Sequence, residues 1–157
     1  MNVYPIEAGN FKLDGGAMFG VVPKSLWTKT NPADADNMIE MSSRCMLVEN
    51  SDKLILVDTG MGDKQSEKFF KYYKRWGSDN LVKSINSAGF SIDDVTDVLL
   101  THLHFDHCGG AVAWDSSKEA FDVLFKNANY WSNEKHWDWA TSPNPREKAS
   151  FLDENLF

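Results

Sequence analysis

Short apolar runs broken by glycine, proline and small polar residues set the rhythm of this chain. Residues 3–8 and 11–13 read as two strands, with Gly9-Asn10 as the turn between them and Asp14-Gly15-Gly16 as the next. Met18, Phe19 and Val21 are candidates for core or for an apolar wall, and Pro23 opens a single helical turn reaching Trp27. The polar stretch 30–37 is a loop. Residues 43–49 and 53–57 form a hairpin about Asn50-Ser51-Asp52, a turn of the three-residue kind. Asp63 caps an expected helix over 64–76 with Phe69, Tyr72, Tyr73 and Trp76 on one face; Lys64, Lys68, Lys71 and Lys74 form its wet face, and Gly77 ends it.

A second helix over 80–88 buries Leu81, Val82 and Ile85 and stops at Gly89. Ser91 with Asp94 caps a short turn, after which 97–101 enters the sheet. Residues 111–114, 121–125 and 128–131 are short apolar pieces, the last two strand-like, and Ser132 or Asn133 caps a helix through Ala140. Asn144-Pro145-Arg146-Glu147 reads as the start of a last amphipathic helix reaching about residue 155. Strands alternating with helices predict an α/β fold.

Composition narrows the class. With 157 residues and 42% hydrophobic content, the chain is long enough to bury a real core. Twenty-three acidic against sixteen basic residues give a net charge of -7, which opposes an extended polyanion and excludes nucleic acid as the expected partner. No run approaches membrane-spanning length and the start lacks a targeting pattern, so the expected location is the cytoplasm, with no membrane partner. Cys45 and Cys108 do not make a disulfide framework; both are read as packed thiols, Cys108 in preference to a metal ligand beside His107.

The chemistry lies in Thr101-His102-Leu103-His104-Phe105-Asp106-His107-Cys108-Gly109-Gly110, which follows the apolar run Val98-Leu99-Leu100. Three of the four histidines and a carboxylate fall within six residues, a clustering that suits zinc and its neighbours. His102 and His104, two apart in extended backbone, point to one side and can share an ion. Asp106 and His107 fall where the chain turns, where a second ion could sit, and Gly109-Gly110 lets the backbone bend. The helical His-Glu-x-x-His zinc motif is absent.

At these residues the sequence resembles the metallo-β-lactamase superfamily, whose fingerprint is His-x-His-x-Asp-His after a hydrophobic strand. Leu103 and Phe105 within the motif, Val57-Asp58-Thr59-Gly60, and the stretch from Leu13 to Gly20 are similar to its branch of N-acyl homoserine lactonases and related lactone or organophosphate hydrolases. The resemblance implies an αββα four-layer sandwich of which this chain supplies roughly the first half, residues 1–157 being the amino-terminal portion of a single domain. It also implies two zinc ions, His102 and His104 holding the first, Asp106 and His107 the second, with Asp58 standing behind the site. Histidine at 104 disfavours the iron-holding oxidoreductase branch, which usually carries glutamate there.

The implied activity is hydrolysis of a lactone or ester by a hydroxide shared between the ions, as in quorum-quenching lactonases, with Asp106 as a catalytic group that takes up or hands on a proton. The family's further ligands come from later segments, and His136 is read as a structural or pocket-edge residue. The alternatives are a non-catalytic metal-binding or interaction module and a thioesterase-type hydrolase. Half of such a fold should expose apolar sheet surface, so a homodimer or aggregation is expected.

Overall fold

The computed structural model describes residues 1–156. β1 (Asn2–Asp14) is one continuous strand where two were expected, because its pairing with β2 (Met38–Asn50) runs from Asn2↔Glu49 to Asp14↔Met38 and only slips between Glu7 and Asn10. Gly9, at φ 127°, absorbs that slip as a bulge instead of ending the strand. Asp14 caps α1 (Gly15–Phe19) by accepting from the Ala17 amide, so the expected turn is a helix start. α2 (Lys24–Trp27) follows, and Phe19 stacks on the buried Trp27 while Met18 and Val21 stay exposed.

β2 begins five residues before its expected start, since the long β1 offers backbone partners down to Met38. It turns into β3 (Lys53–Val57) through Ser51-Asp52 alone, because Asn50 still pairs with Lys53 and Ser51 adopts φ 54°. The helix expected over 64–76 shrinks to α3 (Glu67–Phe70), capped by Ser66, plus one tight turn ended by Lys74 at φ 40°. Tertiary contacts override the local pattern: Arg75 bonds Asp63, Trp76 bonds the Asn10 carbonyl, and Lys64 is drawn into the interior. Lys68, Lys71 and Lys74 do face water; Lys64 does not.

α4 (Leu81–Ser87), capped by Asn80, carries the chain over the sheet and lets β4 (Asp97–Leu99) pair parallel to β3. α5 (Phe105–Cys108) then bends into a hairpin of β5 (Val112–Trp114) and β6 (Phe121–Val123), and β7 (Asn129–Trp131) adds parallel to β4. α6 (Glu134–Thr141), capped by Asn133, comes last. The helix expected after Asn144 is absent: Asn144 does cap the turn, but only short 3-10 pieces at Lys148–Ser150 and Asp153–Asn155 form. Between them Phe151 leaves helical backbone to pack, buried, against the rings of His104 and His136.

The main sheet has the order β1-β2-β3-β4-β7. Alternation sorts its two faces. Leu47, Leu56 and Val98, paired across three strands, are fully buried beneath Leu81 and Ile85 of α4. Each of those two helix side chains contributes about 2 kcal/mol by burial. On the opposite face Met46, Val57, Leu99 and Trp131 form a register-matched row in which Met46, Leu99 and Trp131 are exposed. No helix among the described residues is long and apolar enough to cross a membrane.

Candidate metal centre

The histidine motif sits at the carboxyl ends of two parallel strands. β3 ends at Val57, and the next residue, Asp58, takes φ 60°, a left-handed backbone that short polar side chains tolerate. Its amide donates to the Leu99 carbonyl at 3.0 Å, which pins it beside the end of β4. The carboxylate then gathers the motif. Thr101 donates its amide to Oδ1 at 2.8 Å and its hydroxyl lies 2.8 Å from Oδ2, while His107 Nδ1 lies 2.9 Å from Oδ2. One side chain thus joins the two ends of the motif.

Between those ends the backbone stays extended long enough to alternate. Leu103 is buried, and His102 and His104 are half-buried on the other side with ring centroids 4.7 Å apart. His104 occupies the position before α5, and its carbonyl accepts from the His107 and Cys108 amides. This first turn swings the His107 ring back to 3.9 Å from His102, nearer than His104. Asp106 Oδ2 lies 3.7 Å from His107 Nε2. Phe105 points inward against Phe69 and Tyr73, so α5 is anchored by an aromatic cluster on its far side.

The electrostatics follow from this crowding. Burial, then the neighbouring His107 and His104, pull His102 down to about 4, and burial chiefly lowers His104, so both rings are neutral at pH 7. The Asp58 bond raises His107 against its own burial. Burial works to raise Asp58, but the bonds from His107 and Thr101 outweigh it and hold the carboxyl below its ordinary value.

The donor types fit zinc. With Nδ1 of His107 held by Asp58 and Nδ1 of His102 3.1 Å from the Thr101 hydroxyl, each ring keeps Nε2 for an ion, in the arrangement metal-binding histidines use. Their number is small: among the described residues no three histidine, cysteine, aspartate or glutamate side chains are gathered closely enough to hold one ion. Cys108 adds nothing, since its thiol is fully buried, donates to the Leu103 carbonyl at 3.3 Å, and is pushed up to about 12 by burial. His136 lies 6.1 Å from His102, and its Nε2 accepts from the Leu103 amide at 2.8 Å. It props the extended segment between the two histidines.

Two contributors escaped the sequence pattern: Phe151 packs on His104, and Lys64 bonds the turn beyond α5. Thr101, which opens the motif, shares Asp58 with His107, a role its place in the sequence did not specify. A cavity of about 140 Å³ opens beside Asp106 and His107, walled by Phe11, Met41, Ser43 and Asp58. A larger one of about 280 Å³ reaches along β1 to Arg75 and Trp76 but touches none of the motif.

Comparison with known proteins agrees with this geometry. The sequence profile of the metallo-beta-lactamase superfamily matches residues 39–154. An N-acyl homoserine lactonase of Bacillus cereus is 28% identical over 104 residues, covering 60% of this chain and 40% of the relative. A probable metal-dependent hydrolase from Staphylococcus aureus superposes with a TM-score of 0.89 at 31% identity, over 98% of this chain and 54% of its own. AidC, a dizinc quorum-quenching lactonase solved with a product, superposes at 0.66 with 25% identity, over 98% of this chain and 53% of its own. The chain therefore spans about half the length of the structures it matches, and less of the curated relative. With the profile matched from β2 to the last turn and the histidine motif at the ends of β3 and β4, the chain belongs to the metallo-beta-lactamase superfamily.

Proposed function

We propose that this chain is the amino-terminal portion of a single-domain, zinc-dependent hydrolase that opens a lactone or cleaves another small ester. The observation that carries the reading is the His102 ring flanked by His104 at 4.7 Å and His107 at 3.9 Å, with Asp106 beside His107 and Asp58 holding it. The lactonase relatives and the span of about half a neighbouring hydrolase support it. His102 and His104 would hold one ion, Asp106 and His107 a second, with remaining ligands from outside these residues. Zinc there would supply Lewis acidity and an activated water near neutral pH.

The chain's own side chains do the rest. Asp58 keeps the His107 ring oriented through Nδ1, and His136 and Phe151 keep the His102–His104 segment from shifting. Asp106 takes up the proton released on attack and hands it to the leaving oxygen. Phe11 and Met41 give the adjoining cavity an apolar wall suited to an acyl group. The net charge of -7 favours a neutral substrate over an anionic one.

The test is zinc content followed by a panel of lactones, simple esters and thioesters. In the complete protein, bound zinc with lactone or ester turnover, both lost in His104→Ala, is expected; a complete protein that takes up no zinc, or a His104→Ala variant that keeps its turnover, overturns the reading. A non-catalytic metal-binding module is the second reading, favoured by the absence of any three-ligand group among the described residues. Zinc bound without turnover on the whole panel would select it, and turnover confined to thioesters would move the protein to the thioesterase type.

A further inference from the structure

Lys64 is buried at 6% exposure, and among the described residues it bonds no carboxylate. Its Nζ donates to two carbonyl oxygens, Gly109 at 2.5 Å and Val112 at 3.2 Å. A methionine would fill nearly the same volume without the cost of burying an ammonium, so the charge has to be explained by what it touches. Those carbonyls belong to the first residue of the 3-10 turn Gly109–Ala111 and to the residue after it, directly beyond the helix that carries Asp106 and His107. A helix end leaves carbonyls without partners, and a buried cation is a strong donor to them.

The surrounding bonds make this more than a local cap. Thr59 donates its amide and hydroxyl to the His107 carbonyl at 2.8 and 3.0 Å, and the Gly110 amide donates to the Gly60 carbonyl at 3.0 Å. The Trp114 indole donates to the Lys64 carbonyl at 3.1 Å. Residues 59–64 thus lie strapped along residues 107–114, fastened by Thr59 at the metal end and by Lys64 at the other. The two segments are in van der Waals contact, since a Cβ on Gly109 would stand 2.2 Å from the Met61 carbonyl oxygen. Residues 59–64 therefore touch both the His107 carbonyl and the turn beyond α5.

We propose that Lys64 is a positioning residue of the metal centre, its ammonium clamping the turn after α5 so that Asp106 and His107 are held in place for an ion. This rests on the metal reading above, and the two are separated by measuring exchange as well as zinc. In Lys64→Met and Lys64→Arg variants of this chain, hydrogen exchange would be followed at the Thr59 and Gly110 amides and at core amides, alongside thermal unfolding and zinc titration.

Lys64→Met is expected to melt at the same temperature or higher, to exchange Thr59 and Gly110 about tenfold faster with core amides unchanged, and to bind zinc roughly tenfold to a hundredfold more weakly. Lys64→Arg should recover part of both effects. Unchanged exchange and zinc affinity in Lys64→Met would overturn the proposal. So would a uniform loss of protection with a lower melting temperature, which marks a merely structural lysine. If the complete protein too binds no zinc the metal reading fails, and the exchange at Thr59 and Gly110 alone decides whether Lys64 positions the turn.

Discussion

Asp58 accepts from both ends of the histidine motif while holding a backbone conformation that few side chains tolerate. Asn tolerates the same φ but carries no charge, so Asp58→Asn isolates the electrostatic part of the role. Because the bond from Asp58 is the main cause of the raised His107 value, the variant should titrate His107 at lower pH, as read by NMR of the ring. The lost charge-assisted bonds should cost about 1–2 kcal/mol of stability in denaturant unfolding. Lys64 gives a second signature. Burial pulls it from 10.5 to about 8, so between those values the unfolded chain binds the extra proton and stability climbs with pH. The penalty below pH 8 is about 3 kcal/mol, and Lys64→Met should remove the rise in stability from pH 8 to 10.5.

Elements that carry their own start and stop signals are where the sequence suggests. Asn80 and Gly89 bound α4, Ser91 and Asp94 make a capping box, and Asn133 caps α6. The two failures share one physical cause. Around residues 64–76 and 145–155 helical periodicity is real, but Lys64 and Phe151 are needed elsewhere, against the turn beyond α5 and the rings of His104 and His136. Contacts with residues far along the chain outweigh the few tenths of a kcal/mol per residue in local propensity. The same strapping of segments predicts a contrast between two glycines. Gly109→Ala would force a Cβ to 2.2 Å from backbone and should cost about 3 kcal/mol or more, whereas Gly89→Ala, at φ 92° with open space around it, should cost only about 1–2 kcal/mol. Urea unfolding of both variants decides this.

For the whole molecule, the sheet is covered on one face by α4 and its neighbours and bears on the other the row Met46, Leu99 and Trp131. Apolar surface spread over neighbouring strands favours self-association. Light scattering should therefore show an apparent mass that rises with concentration, and Leu99→Lys, at a site already 43% exposed, should suppress the rise without unfolding the core. A strictly monomeric parent chain at all concentrations would contradict this.

By itself the sequence determined the α/β class, the hairpin and crossover that lead into β4, and the residue types of the candidate metal motif, because these depend on spacing within a few residues. A run of imidazoles and one carboxylate carries its chemistry wherever it is placed, whereas the strands are apolar on both sides, so pairing and α4 decided that Leu47, Leu56 and Val98 are buried while Met46 and Leu99 are exposed. Asp58 was expected behind the site from the family resemblance, but only the tertiary structure decided which atoms hold that motif. Asp58 reaches Thr101 and His107 across more than forty residues, His136 reaches Leu103 from α6, and Lys64 gives up water to bind carbonyls beyond α5. Those partners are neighbours through strand pairing and loop packing, which bring together residues far apart along the chain.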